Sequence, residues 1–183
     1  MKIIKYEITI LNYYFTNDEL YDYYMEALDL NIYLTNDEKQ FLISILDSCK
    51  EHLVYTNSFM VYNRLSKVSF EYFDGNIDDL DDVVGSFNVY NYTIKISNST
   101  CINDCNKSYV VHEFMHLLQS NSNDFIHELS NECYTREVVR DLYNKGVLIS
   151  DDLVTSHGDL SYGLGYENYI QNFYILSEII PKR

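Results

Sequence analysis

The chain has 183 residues, of which 46% are hydrophobic and 22% are charged, and this composition predicts one folded domain rather than a disordered chain. A formal net charge of -15 with only 13 Lys and Arg argues against a nucleic-acid surface, because phosphate binding requires clustered cations. The 4 cysteines are too few to staple a chain of this size, and no segment resembles a signal peptide or a membrane span. We therefore expect a cytoplasmic protein with no membrane partner.

Two helices are predicted near the N-terminus. The tetrapeptide "TNDE" occurs at Thr16 to Glu19 and again at Thr35 to Glu38, each time before a run with helical spacing. Thr-x-x-Glu is the capping-box pattern, in which two side chains satisfy backbone N–H groups at the start of a helix. The pattern predicts helices near residues 17–29 and 36–52.

Strands are predicted in the middle of the chain, where "KVSFEYF" and "FNVYNYTIKIS" (residues 87–97) alternate in polarity and are rich in β-formers. The second strand is expected to have a break near Asn91. The acidic run "DGNIDDLDDVV" (residues 74–84) lies between them and could offer oxygen ligands to calcium. It lacks the spacing of an EF-hand loop, so we interpret it as a solvated loop.

The C-terminal half is predicted to be helical. A helix is expected from about residue 125 to 145, ended by Gly146, and a loop follows through residues 147–161. A last helix should stop before Pro181. Helices, then strands, then helices indicate a single α+β domain over residues 1–183.

The stretch "SYVVHEFMHLLQ" (residues 108–119) carries the clearest chemical signal. On a helix His112 and His116 lie about 40° apart and one turn along, so both imidazoles can meet one ion. Glu113 lies beside them, where a carboxylate can take a proton from a metal-activated water. The apolar residues occupy the opposite arc. The alternative is an amphipathic helix whose polar stripe contains two histidines, but it does not explain the glutamate.

A catalytic zinc needs a third protein ligand, and "HELSNECYTREVV" offers Glu128, Glu132 and Glu137. Glu132 points from the centre of the apolar face of this predicted helix, where a carboxylate needs a compensating cation. We therefore predict Glu132 as the ligand and keep Glu128 in reserve, whereas Glu137 points away. A buried ion pair of Glu132 with Arg136 or Arg140 is the structural alternative.

"VVHEFMHLL" followed by "LSNECYTREVV" resembles the gluzincin branch of the zincin metallopeptidases, over roughly residues 85–180. The family has a His-Glu-x-x-His helix and a second helix that supplies a glutamate ligand, often within an Asn-Glu pair. An outer acid stands four positions after that ligand in the family, whereas Arg136 stands four positions after Glu132. The resemblance implies a zincin-like fold with a cleft between an upper part, about residues 1–118, and a lower helical part, about residues 119–183.

The resemblance also implies that "FNVYNYTIKIS" is the antiparallel edge strand of a small mixed sheet, along which an extended substrate lies. An ordinary sheet strand is the alternative. A tetrahedral oxyanion also needs a side-chain donor, for which "SHGDLSYGLGYENY" offers His157, Tyr162 and Tyr166. Tyr166 is the preferred candidate.

The other cysteines and histidines receive structural interpretations. Cys101 and Cys105 are expected to be free thiols, because no second Cys or His pair stands at zinc-site spacing, and Cys133 is expected to pack in the core. His52 and His127 have no evident partner in the sequence.

The sequence as a whole predicts a zinc metallopeptidase, most simply an endopeptidase, that binds a peptide or protein substrate and uses Glu113 as general base. The alternative function is a catalytically silent, zincin-like binding or regulatory domain. An intact glutamate beside the ion favours the enzyme, because a scaffold needs no base there.

Overall fold

A computed structural model describes residues 15–73, 85–97, 104–119 and 125–148 of the chain. Within these ranges the protein contains five α-helices and a three-stranded sheet, so the α+β prediction is confirmed. The helices are α1 (Asn17–Leu30), α2 (Asn36–Cys49), α3 (Ser58–Leu65), α4 (Asp104–Leu118) and α5 (Phe125–Asn144). A 3-10 helix (Lys50–Tyr55) continues directly from α2. The strands are β1 (Ser69–Phe73), β2 (Gly85–Asn88) and β3 (Thr93–Ser97).

Both predicted capping boxes are present. The Thr16 hydroxyl accepts a hydrogen bond from the backbone N–H of Glu19, and the Glu19 carboxylate accepts one from the backbone N–H of Thr16. Thr35 and Glu38 form the same pair at the start of α2. The predicted helix at residues 36–52 ends earlier, because its last turn tightens into the 3-10 helix.

Helix α3 was not predicted from the sequence. It spans only 8 residues, too few for a clear periodic pattern, and it begins after Asn57, whose side chain accepts a hydrogen bond from the backbone N–H of Met60. Helix α3 matters for the site because its last turn carries Arg64.

The break predicted near Asn91 in the strand over residues 87–97 is confirmed, and it is the turn of a hairpin. β2 and β3 pair antiparallel, and the chain reverses between them through residues 89–92. The Asn88 side-chain oxygen accepts hydrogen bonds from the backbone N–H groups of Tyr90 and Asn91, and Tyr92 has a φ of 57°. Asn side chains favour such turns, so local turn chemistry overrides the alternating pattern.

The sheet is mixed and has the order β1-β3-β2. β1 pairs parallel with β3, so β2 is an antiparallel edge strand of the described sheet. Ile94 and Ile96 of β3 are fully buried, and α4 contacts both β2 and β3. Helix α4 presents Val110, Val111 and Phe114 to the same core. The apolar face predicted for this helix is therefore confirmed.

The C-terminal end of α5 follows the prediction closely. Gly146 has a φ of 73°, a left-handed conformation that a residue with a side chain rarely adopts. Its N–H donates to the carbonyl of Tyr143, and the N–H of Val147 donates to the carbonyl of Leu142, both at 2.9 Å. This pair of hydrogen bonds is the Schellman motif that ends helices at glycine.

Several predictions fall on residues beyond the described ranges: the acidic run at 74–84, Cys101, the loop after residue 148 and the helix before Pro181. The division into an upper and a lower part stays a prediction. Among the described helices, none combines the length and the hydropathy that crossing a membrane requires.

Arg64 holds the end of α4 in place. Its guanidinium is buried, and Nη1 donates to the carbonyls of Leu117 and Gln119 at 2.7 Å and faces that of His116 at 3.4 Å. The last carbonyls of a helix lack partners within the helix and carry partial negative charge, so a cation is favourable there. The guanidinium also lies 5.6 Å from the centroid of the Phe87 ring on β2. One side chain thus links α3, α4 and the edge strand.

We predict that Arg64→Met lowers the free energy of unfolding by about 2–4 kcal/mol, because buried carbonyls lose a charged donor. Urea unfolding followed by circular dichroism measures this change. Arg140→Met, at an exposed position of α5, is the control and should change stability by about 0.5 kcal/mol or less. Equal effects of the two substitutions would show that Arg64 does not support the fold in this way.

Candidate metal centre

The two histidines of "HEFMH" face each other one turn apart on α4. Their Nε2 atoms are 3.2 Å apart, and the ring planes meet at 75°. The side chains of His112 and His116 are 19% and 20% exposed, so the pair lies at the surface of the core and not inside it. This is the arrangement that the four-residue spacing predicts.

Glu128 of α5 provides a third ligand atom beside the pair. Its Oε2 lies 3.3 Å from Nε2 of His116 and 3.6 Å from Nε2 of His112. Ligands bound to zinc at about 2.0–2.2 Å in a tetrahedron are about 3.3–3.6 Å apart, so the three atoms are spaced like three corners of such a site. The group could hold a metal ion, and the Glu128 side chain is 31% exposed, which leaves one side of the group open.

Glu132, the ligand predicted from the sequence, contacts the other nitrogen of His112. Its Oε2 lies 3.2 Å from Nδ1 of His112, and its Oε1 accepts a hydrogen bond from Nε of Arg136 at 2.8 Å. A carboxylate at Nδ1 places the ring proton there and leaves the lone pair of Nε2 for an ion. The structure therefore brings the reserve candidate Glu128, not Glu132, to both Nε2 atoms. The ion pair with Arg136, which was the structural alternative for Glu132, is present.

The electrostatics of His112, His116 and Glu128 favour a cation between the three side chains. Burial alone would lower the pKa of His112, but hydrogen bonds with Glu128 and Glu132 outweigh burial and raise that pKa to about 9. Hydrogen bonds from His112 and His116 lower the pKa of Glu128 well below its usual range. The two Nε2 atoms and the Glu128 oxygen therefore share either a proton or a metal ion. Protons and metal ions compete for the position between these three atoms.

Glu113 is buried between α4 and the edge strand. Glu113 is 7% exposed. Burial raises the pKa of its carboxyl, although the charges of His112 and His116 act to lower that pKa. A hydrogen bond from the backbone N–H of Phe87 opposes the rise. A carboxylate whose pKa is raised is a stronger base near neutral pH, so the position suits the predicted proton acceptor.

Gly85 makes room for Glu113. A Cβ atom placed on Gly85 would lie 3.1 Å from Oε1 and 3.2 Å from Cγ of Glu113, which is tighter than ordinary van der Waals contact. A glycine within a strand often marks such a close approach. Gly85 was not predicted from the sequence, because it directly follows the acidic run and Glu113, which it contacts, is 28 positions away along the chain.

Asn131 is the second residue that the sequence analysis missed, although the Asn-Glu pair "NE" was noted. Its side chain is fully buried, and Nδ2 donates to the backbone carbonyl of His112 at 3.0 Å. This bond fixes α5 against α4 at the level of the site. A buried Asn on a helix is a sign of such a contact, but the sequence does not name its partner.

Of the other residues singled out from the sequence, some lie within the described part of the chain and some outside it. Tyr166, Tyr162 and His157 lie outside the described residues, as do the side chains of Cys105 and His127. Cys133 is buried and is not in a disulfide, as predicted. His52, for which no partner was foreseen, contacts the Tyr134 ring at a centroid distance of 5.7 Å. Glu137 is exposed.

A cavity of about 290 Å³ lies beside the C-terminal part of α4. Its described lining combines apolar side chains such as Met115 and Leu118 with polar ones such as His52 and Gln119. None of the three grouped side chains lines it. We therefore assign the chemistry to the open side of the histidine pair and not to this cavity.

Comparisons with protein-family models, with curated proteins and with solved structures found no match to this chain. The interpretation of the site therefore depends on its own geometry. That geometry combines two imidazoles, one carboxylate at ligand spacing and one buried carboxylate next to the first histidine. Such a set can bind a divalent ion and move a proton beside it.

We predict that Gly85→Ala displaces the Glu113 carboxylate and lowers any peptide-hydrolysing activity about tenfold or more, because a small misplacement of the predicted proton acceptor would be costly. The unfolding midpoint should change little, since Glu113 can shift by a few tenths of an ångström. Metal content by elemental analysis should stay that of the unsubstituted protein. Ser86→Ala, on the same strand, is the control. Unchanged activity in Gly85→Ala would show that Glu113 needs no such space.

Proposed function

We propose that this protein is a metal-dependent peptidase in which His112, His116 and Glu128 hold a zinc ion and Glu113 is the general base. The observation that carries the proposal is the spacing of the three ligand atoms, 3.2–3.6 Å, with a buried carboxylate one residue after the first histidine. Three protein ligands and one open position are typical of catalytic rather than structural zinc.

The donor set supports zinc over harder cations. Two imidazole nitrogens with one carboxylate oxygen suit a borderline ion such as zinc, whereas calcium and magnesium prefer oxygen ligands. The partial exposure of the three side chains leaves room for a water molecule and a substrate. The ring proton of His112, held at Nδ1 by Glu132, leaves Nε2 free to bind.

A zinc ion, when bound, supplies Lewis acidity that lowers the pKa of a water molecule and polarises a carbonyl group. Glu113 accepts the proton of the attacking water and returns it to the leaving amine. Burial between β2 and α4 keeps its carboxylate in one orientation and out of bulk water. The donor to the oxyanion is proposed to be Tyr166, with Tyr162 and His157 as alternatives.

The pattern of the gluzincins supports Glu128 as the ligand. In that family an outer acid stands four positions after the glutamate ligand. Counted from Glu128, the fourth position is Glu132, whose carboxylate contacts Nδ1 of His112. With this assignment an acid stands at the fourth position, whereas the Asn-Glu pair of the family then contains Glu132 and not the ligand.

The edge strand supports an extended substrate. Within the described residues, β2 pairs with β3 alone, and the backbone N–H of Phe87 is directed to the Glu113 carboxylate. The edge of the described sheet therefore runs beside the proposed base. An extended peptide can add to such an edge through main-chain hydrogen bonds. We propose a peptide or protein chain as the substrate for this reason.

Metal content tests the ligand assignment. We expect about one zinc per chain in the unsubstituted protein and in Glu113→Gln, and none in Glu128→Gln. Glu132→Gln should retain zinc with an affinity about 10–100-fold lower, the range found for outer partners of a ligand histidine. Glu137→Gln, an exposed glutamate of the same helix, is the matched control. Elemental analysis and competition with a chelating dye give these values.

Two results would count against this assignment. Loss of zinc in Glu132→Gln with retention in Glu128→Gln would restore Glu132 as the ligand. An unsubstituted protein that takes up no zinc, even when it is supplied, would leave "HEFMH" as a polar stripe on a helix and would end the peptidase proposal.

Cleavage of a peptide library by the zinc-loaded protein tests the reaction. Glu113→Gln should lower kcat/KM by about 10²–10⁴-fold, because it removes a base and keeps the size of the side chain. Its zinc content should remain that of the unsubstituted protein. If the zinc-loaded protein binds peptides and cleaves none, the silent binding domain is the correct alternative.

A further inference from the structure

Three charged residues follow one another at four-residue intervals on α5. Each of these residues lies one helical turn beyond the previous one and about 40° further around the axis of α5. One face of the helix therefore carries Glu128, Glu132 and Arg136. Glu128 faces both Nε2 atoms, at 3.3 Å and 3.6 Å, while Glu132 reaches Nδ1 of His112 at 3.2 Å. Two carboxylates one turn apart are thus both within reach of the same imidazole.

Arg136 distinguishes the two carboxylates. Its Nε donates to Oε1 of Glu132 at 2.8 Å, and the two side chains are 7% and 5% exposed. Burial raises the pKa of Glu132, but hydrogen bonds from His112 and Arg136 outweigh burial and lower it. Both oxygens of Glu132 therefore have partners, whereas Glu128 has no such contact with the arginine.

We propose that Arg136 is a positioning residue: it holds the Glu132 carboxylate at Nδ1 of His112 and so leaves the coordination position at the ion to Glu128. This inference rests on the metal site proposed above. Turning Glu132 towards the ion would break a charge-assisted hydrogen bond at a buried place, where such bonds are strong and an unpaired arginine is unfavourable.

The charges of the site agree with this role. Among the described residues, the acids around the proposed ion are Glu113, Glu128 and Glu132. A divalent ion compensates two of them, and the guanidinium of Arg136 is an ion-pair partner of the third. Without the arginine, Glu132 would lose this partner, and the ion would attract its carboxylate more strongly.

A contribution to stability does not by itself explain why an arginine occupies position 136. Among the described residues its Nη2 has no hydrogen-bond partner although it is buried. A buried ion pair with an unsatisfied donor contributes little to stability, and replacing both partners by neutral groups is often tolerated. The double variant Glu132→Gln with Arg136→Met should therefore fold.

The test compares Arg136→Met, Glu132→Gln, the double variant and Arg140→Met, an exposed arginine four positions along α5. Zinc affinity is measured by competition with a chelating dye, and the visible spectrum is measured after substitution with Co²⁺. We expect Arg136→Met to weaken zinc binding about tenfold, the lower end of the range for outer partners. Its Co²⁺ spectrum should differ from that of the unsubstituted protein, because the released Glu132 changes the ligands. Arg140→Met should change neither measurement.

The double variant keeps the test decisive if Arg136→Met does not fold. Once Glu132 is neutral, Arg136 has no carboxylate to hold, so the double variant should bind zinc as tightly as Glu132→Gln alone. A further tenfold loss in the double variant would overturn the proposal. So would a folded Arg136→Met whose affinity and Co²⁺ spectrum match those of Arg140→Met, because a purely structural role changes the unfolding midpoint and not the spectrum.

The two proposals fail in different ways. If the unsubstituted protein takes up neither zinc nor Co²⁺, both proposals are wrong. If it takes up either ion and the Arg136 variants behave like Arg140→Met, the metal site stands and only the positioning role is wrong.

Discussion

The burial of acidic side chains where α4 meets α5 and β2 is the constraint on which the rest of the site depends. Glu113 and Glu132 are 7% and 4% exposed, and a carboxylate at such depth is unfavourable without a nearby positive charge. Arg136 supplies one such charge to Glu132. The remaining acceptors converge on the histidine pair, and the group of His112, His116 and Glu128 could hold a metal ion.

The site is held by contacts from several elements. Arg64 of α3 fixes the last carbonyls of α4, and Asn131 of α5 bonds the carbonyl of His112. Gly85 of β2 leaves the space that the Glu113 side chain occupies. Because these contacts are buried or partly buried, a change in any of these elements moves a group at the site. Among the described residues, the packing of helices and strands therefore positions the side chains of the site.

Local chemistry explains which parts of the fold could be predicted. Thr16 and Thr35 begin helices because each capping box involves residues only three positions apart. Gly146 ends α5 for a similarly local reason, its positive φ. A break near Asn91 was predicted, but the reversal of the chain was not, because alternation continues across residues 89–92. The hydrogen bonds of Asn88 and the positive φ of Tyr92 mark that reversal in the structure. Helix α3 was missed because a short helix has too little pattern.

The sequence by itself determined the histidine pair and its neighbouring glutamate, because residues four apart on one helix meet wherever the helix lies. It could not decide between Glu128 and Glu132. The two differ by about 40° around their own helix, and the choice depends on how α5 is rotated and shifted against α4. Only the tertiary structure supplies that placement, since it results from contacts such as those of Asn131 and Arg64 between residues far apart in the chain.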